Sequence, residues 1–304
     1  MRRLLTYTIL FAWLAAVVLP ILWVFSNSVR STQEITENSF GLPWLVKGSP
    51  YADRSDYPTP EESAISNFRT AWYDMHFSRF FLNSVIVTGI SLAGILTCGA
   101  LAAYALARFR FRGNRAMYLF FIAGMMVPAQ LILIPLFFEF SSVSEFISRL
   151  IRPLGYEFRL HNSLTGLILI YTSLSLPFTI LILTAFFRSL PGALRESAII
   201  DGASEWTVFR AIMLPLARPG LITAAIFNFI GLWNEYLFAL VFVNTPETKT
   251  LPLGLAGVSI QAQYKTDYGL MFAGLVIVLI PTLLTYAVLQ RHLTRGITVG
   301  ALKG

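Results

Sequence analysis

Six stretches of this chain are long and apolar enough to cross a bilayer, and that repetition constrains the fold more than any other feature. A spanning helix needs about 20 predominantly apolar residues to cross a hydrocarbon core about 30 Å thick. Leu4–Val24, Leu82–Ala107, Ala116–Phe138, Ser163–Phe187, Gly220–Val243 and Tyr268–Gln290 all reach that length. Five contain no Asp, Glu, Lys or Arg, and the fifth in order contains one, Glu235. Only 13% of residues are charged, against about 25% in soluble domains, so the chain reads as an all-α membrane protein. The first apolar run exceeds the roughly 7 to 15 residues of a secretory signal and lacks a small-residue cleavage site, so it is predicted to persist as a helix.

Orientation follows from the cationic residues, because Lys and Arg beside helix ends resist translocation. Six spans place both termini on one side, which carries thirteen cationic and three acidic residues against ten and twelve on the other. Arg108, Arg110, Arg112 and Arg115 crowd the turn between the second and third spans on that side. Both termini are therefore expected in the cytoplasm. The net charge of +7 is then a basic cytoplasmic face meeting lipid and calls for no nucleic acid. Cys98 is alone, inside the second span, which leaves no disulfide within the chain.

Residues 30–80 form the longest polar stretch, with prolines at 43, 50, 58 and 60 and too few apolar residues for a core. Thr59-Pro60-Glu61-Glu62 reads as a capping box with proline at the first helical position. Ile65, Phe68 and Trp72 follow at helical spacing, predicting a short amphipathic helix along the outer membrane surface. Ser141–Asn162 and Asn244–Asp267 read as further outer loops. Pro128, Pro135, Pro177 and Pro281 fall inside spans and are expected to kink them.

No GxxxxGK[ST] phosphate loop occurs, so the chain is not expected to split ATP itself, and no HExxH, GxSxG or His–carboxylate cluster is present. His76, His161 and His292 lie in three separate segments and read as solvated or interfacial. No cofactor or metal is expected on this chain. Glu235 stands out because an ionisable group inside a span is costly. On a continuous helix Asn228, Gly231, Asn234 and Glu235 would share one face, lining either a translocation path or a helix-to-helix hydrogen-bonding seam.

The polar stretch Arg188–Pro219 is the sharpest signal. Leu190, Leu194 and Ala198 fall on one helical stripe, and Gly202 supplies a left-handed stop. Ser204 can cap a second helix with Glu205 in its first turn, Trp206, Phe209 and Met213 forming its apolar stripe and Pro215 its limit. Two short helices at the cytoplasmic surface make a compact docking element.

Glu196-Ser197-Ala198, Gly202 and Ile212-Met213-Leu214-Pro215 resemble the Glu-Ala-Ala signature loop of permease subunits in binding-protein-dependent ABC importers, with Ser197 in place of the first alanine. Trp233-Asn234-Glu235-Tyr236-Leu237, Thr250-Leu251-Pro252-Leu253-Gly254-Leu255 and Gly296–Gly304 look like the carbohydrate branch, and within it the subunit type of the second permease of the maltose importer. The resemblance covers Phe80–Gly304; Pro43–Pro60 is longer than usual in it.

This resemblance implies a six-helix, MetI-like type I importer bundle with a cytoplasmic coupling helix. It divides the chain into an N-terminal span (1–29), an extracytoplasmic loop (30–80) and a permease core (81–304) with coupling loop 188–219 and C-terminal tail 291–304. Implied partners are a second homologous permease, two ATP-binding subunits that hold ATP and Mg, and an extracytoplasmic sugar-binding protein. Coupling residues carried over are Glu196, Ser197, Ala198, Asp201, Gly202, Leu214 and Pro215, with Gly296, Gly300, Lys303 and Gly304 in the tail. Asn228, Asn234 and Glu235 are candidates for the substrate path. The rivals are a phosphorylated polyol such as glycerol 3-phosphate as cargo, an ion-coupled secondary transporter using Glu235, and a polytopic membrane enzyme. A phosphate cargo would call for basic groups in the path, and the spans contain none.

Overall fold

The computed structural model describes residues 2–41, 60–154, 159–265 and 267–301. They are helical, without strands among the described residues. In chain order the helices are α1 (Arg2–Ser28), α2 (Thr32–Glu37), α3 (Pro60–Arg69), α4 (Phe77–Arg108), α5 (Asn114–Met126), α6 (Leu133–Ile151) and α7 (Leu164–Ser189). They continue with α8 (Gly192–Ile200), α9 (Glu205–Val208), α10 (Leu214–Leu216), α11 (Arg218–Trp233), α12 (Leu237–Phe242), α13 (Leu251–Lys265) and α14 (Tyr268–Ala301). Five described helical stretches are long and apolar enough to span, and a sixth is a pair, Glu205–Leu216 with Arg218–Trp233, bent by 71°.

The described residues thus hold five candidate spans, or six if the bent pair is one, and three expectations about them are corrected. The third apolar run is not one helix: α5 ends at Met126, Pro128 follows, and a short 3-10 turn over Ala129–Ile132 leads into α6. Proline disfavours helical backbone in the residue before it, and Val127 is extended. α6 then runs through Ser141–Ile151, which the sequence reading assigned to an outer loop. The fifth run also breaks, at Asn234–Tyr236, so its four polar residues do not share one helical face. Pro177 and Pro281 sit inside unbroken α7 and α14.

The chain divides into two compact units, Met1–Phe81 with Leu251–Leu283, and Leu82–Thr250 with Leu284–Gly304. In the first, the polar segment after α1 is more ordered than a loop. Ser31 and Glu34 form a reciprocal capping box on α2. Arg30, wholly buried, donates to Asn27 Oδ1 and to the carbonyls of Glu34 and Asn38, each at 2.9 Å. Asn67 on α3 donates to the carbonyls of Ser28 and Arg30, tying that helix to the end of α1. The expected stripe holds in part: Phe68 of α3 and Trp72, in the π turn Thr70–Asp74 that follows it, are half-buried while Ile65 is exposed. Its Thr59 cap and the Pro43–Pro60 segment lie outside the described residues, except that α3 begins at Pro60. The third outer stretch, also read as a loop, contains α13, whose Gly254 lets Phe80 approach closely.

In the second unit, α4, α7 and α11 pack through small and polar side chains, as lipid-exposed bundles do when apolar burial alone gives little preference. Gly99 of α4 meets Thr179 of α7, where a Cβ would lie 2.6 Å from the threonine methyl. Buried Thr179 also accepts a 2.8 Å hydrogen bond from Asn228 Nδ2 of α11. At one end a core of Ala100, Ala103, Tyr104, Leu183, Phe187, Ala198, Val208, Phe209, Met213 and Ala217 joins these helices to α8 and α9.

Candidate functional site

The α8–α9 element is built as its residues dictate. After Ile200 the chain turns at Gly202, whose φ of +84° is the left-handed conformation glycine adopts freely. The amide of Gly202 donates to the Ile199 carbonyl and that of Ala203 to the Ala198 carbonyl, the Schellman pair that satisfies a helix C-terminus. Ser204 then caps α9, its hydroxyl accepting from the Thr207 amide. The helix continues through one π turn, Phe209–Met213, and α10, bending at Ala217 into α11.

Ala198 is buried under Val208, Phe209 and Met213, whereas Glu196, Ser197, Asp201, Gly202 and Pro215 are exposed and Leu214 is half-buried. The second helix's expected stripe is revised: Val208, Phe209 and Met213 face the core, and Trp206, 59% exposed, faces out. With Leu194, Ile199 and Ile200 it leaves an exposed apolar surface around the turn. A short helix with a left-handed stop, an inward Ala198 and an outward apolar rim suits protein docking.

What holds this element was not legible as a site in the sequence. Glu205 accepts from Arg195 Nε at 3.2 Å, from Arg195 Nη2, and from the Tyr104 hydroxyl at 3.1 Å. One carboxylate thereby pins α8 to α9 and both to α4. The hydrogen bond from Arg195 to Glu205 raises the guanidinium's pKa above its ordinary range. Four residues along α4, Arg108 Nη2 donates to the carbonyls of Phe187 and Leu190 at 2.6 and 2.7 Å, closing the free end of α7.

The intramembrane candidates separate. Asn228 is 6% exposed and spends its amide on Thr179 and on the Ala224 carbonyl. Glu235 sits in the break after α11, where its carboxylate accepts from the amides of Phe238 and Ala239 at the start of α12 and from the Tyr171 hydroxyl. It caps α12, accepting from the freed amides that a broken helix leaves without intrahelical partners. Asn234 is exposed beside the same break, with Gly231 and Phe227 exposed on the preceding turns. In the tail, α14 continues as helix through Gly296 and Gly300 to Ala301, beyond the Gln290 expected as the span's end. Lys303 and Gly304 lie outside the described residues.

His161 is half-buried, its ring stacked on Phe242 and in contact with the Ser141 hydroxyl and the Phe137 carbonyl. Among the described residues no group of three or more His, Cys, Asp or Glu could hold a metal.

Residues 95–299 match the family described as binding-protein-dependent transport system inner membrane component. The chain belongs to this family. It is 38% identical over 300 residues to a diacetylchitobiose uptake system permease protein of Streptomyces coelicolor, covering 98% of this chain and 88% of that one. It is 32% identical to a trehalose transport system permease protein of Mycobacterium tuberculosis, covering 94% and 93%. A crystal structure of a bacterial ABC transporter that imports the acidic polysaccharide alginate superposes with a TM-score of 0.73 at 22% identity, over 95% of each chain. That likeness bears on the fold alone: this chain and a chain of that transporter share one fold over nearly their whole length.

Proposed function

We propose that this chain is a permease subunit of an ATP-driven importer for a di- or oligosaccharide, paired with a second homologous permease. An extracytoplasmic binding protein delivers the sugar, and two partner subunits bind ATP and Mg. The observation that carries this reading is the α8–Gly202–α9 element, rigidly clamped through Glu205 yet exposing Glu196, Asp201 and an apolar rim. A chain without a phosphate loop obtains ATP energy through such a contact. The names of the permease relatives, for diacetylchitobiose and trehalose, support a sugar cargo. The arginine asymmetry supports cytoplasmic termini, with the α8–α9 element on the same side.

In the mechanism proposed here, closure of the ATP-binding subunits pulls on α8, and the clamp transmits the movement to α4 and, through the bend at Ala217, to α11. On α11 the open face of Phe227, Gly231 and Asn234 offers an aromatic ring and an amide, chemistry suited to a sugar ring and its hydroxyls. Asn228 and Glu235 are assigned to holding the helices instead. The six apolar runs of the sequence hold no Lys or Arg of the kind that a phosphorylated polyol would call for.

Reconstituted vesicles test the reading: uptake of labelled oligosaccharide should require the ATP-binding subunits, ATP and the loaded binding protein. Uptake that persists without those subunits and collapses with an uncoupler would overturn it in favour of an ion-coupled carrier.

A further inference from the structure

The turn between α4 and α5 gathers charge that the α8–α9 clamp only partly uses. Arg108, Arg110, Arg112, Arg115, Arg188 and Arg195 line one concavity of about 1170 Å³, in which Glu196 is the one carboxylate. Three of these guanidinium groups are already held. Arg108 and Arg195 make the hydrogen bonds described above, and Arg188 lies 4.8 Å over the Tyr118 ring. Arg110, Arg112 and Arg115 are exposed, with no hydrogen bond or ion pair to a described residue.

The turn that presents them is fixed. Gly113 takes a φ of +92°, the Asn114 amide hydrogen bonds to the Phe111 carbonyl, and Asn114 Nδ2 donates to the carbonyls of Leu106 and Phe109. Between the arginines stand Phe109 and Phe111, 37% and 42% exposed, at the end of a spanning helix and so at the bilayer boundary.

We propose that this cradle binds a phosphate-bearing anion and that its occupant is the headgroup of an anionic phospholipid. Guanidinium forks match phosphate oxygens bidentately. A free phosphate would satisfy the charges but leave the two phenylalanines exposed to water, whereas a lipid supplies acyl chains for them at the bilayer boundary.

The test uses the complete importer purified in neutral detergent, with native mass spectrometry reading bound lipid. The probes are phosphatidylglycerol, phosphatidylcholine and inorganic phosphate. Phosphatidylglycerol should be retained over phosphatidylcholine by at least about tenfold, since each surface cation adds roughly fivefold to attraction for anionic lipid. The combined Arg110→Gln, Arg112→Gln, Arg115→Gln variant should lose that preference, and the corresponding triple lysine variant should keep most of it. Displacement of the lipid by inorganic phosphate would overturn the lipid assignment and leave a simple anion site. Loss of the ATP-binding subunits from the glutamine variant with lipid retention unchanged would overturn it in favour of a protein interface. If the glutamine variant does not assemble, equal retention of the two lipids by the wild-type complex is sufficient to overturn it.

Discussion

Replacing Glu205 by glutamine keeps the side chain's size and removes its charge, so it isolates the clamp that joins α8, α9 and α4. A hydrogen bond to a charged group contributes about 1.5–3 kcal/mol net when shielded from water. Here the Arg195 and Glu205 side chains remain 24% and 37% exposed, and solvent screening brings the whole clamp down to about 1–2 kcal/mol. That shifts the equilibrium holding α8 in register by roughly 5- to 30-fold. The assay is uptake per ATP hydrolysed, measured on one reconstituted preparation. Glu205→Gln should lower that ratio severalfold while the complex stays assembled. A double-mutant cycle with Arg195→Gln, read by thermal unfolding, should return an interaction of about 1 kcal/mol. An unchanged uptake-to-hydrolysis ratio together with additive single variants would refute the clamp.

Gly202→Ala meets no steric obstacle, since nothing lies within 4 Å of the added carbon, so its cost is the left-handed backbone alone, about 1–2 kcal/mol. Weaker retention of the ATP-binding subunits is expected, with Gly202→Asn recovering part of it. Gly166→Ala places a carbon 2.0 Å from the Leu160 carbonyl oxygen, and backbone displacement of that kind costs about 1–3 kcal/mol or more. The yield of monodisperse protein in gel filtration should fall; a normal yield would contradict this close approach of the Leu160 carbonyl to Gly166 at the start of α7. Asn228→Ala should lower the thermal midpoint slightly, because hydrogen bonds between membrane helices average about 0.6 kcal/mol, and leave uptake intact. Lost uptake at unchanged stability would instead put Asn228 on the sugar path.

The α8–α9 element was legible in detail because its signals are local. Gly202, Ser204 and Ala198 each act on backbone groups within five residues, so their types and spacing carry the geometry with them. The clamp was not legible, because Glu205 and Tyr104 are 101 residues apart and nothing in either neighbourhood marks the other. Trp206 was misplaced because the core takes Val208, Phe209 and Met213 from this helix, and which neighbouring positions a core takes is set by the helices packed on it. Glu235 was recognised as costly, yet its purpose depends on a break in the fifth span that hydropathy does not register.

Hydropathy by itself determined that the chain is a multi-pass membrane protein, because water and hydrocarbon impose their preference on every residue without reference to its neighbours. Where those spans break and what each buried polar group does were decided only in the tertiary structure. A freed amide in hydrocarbon must find a partner, and that partner comes from whichever side chain the packed bundle brings within reach, as Glu235 does for the start of α12.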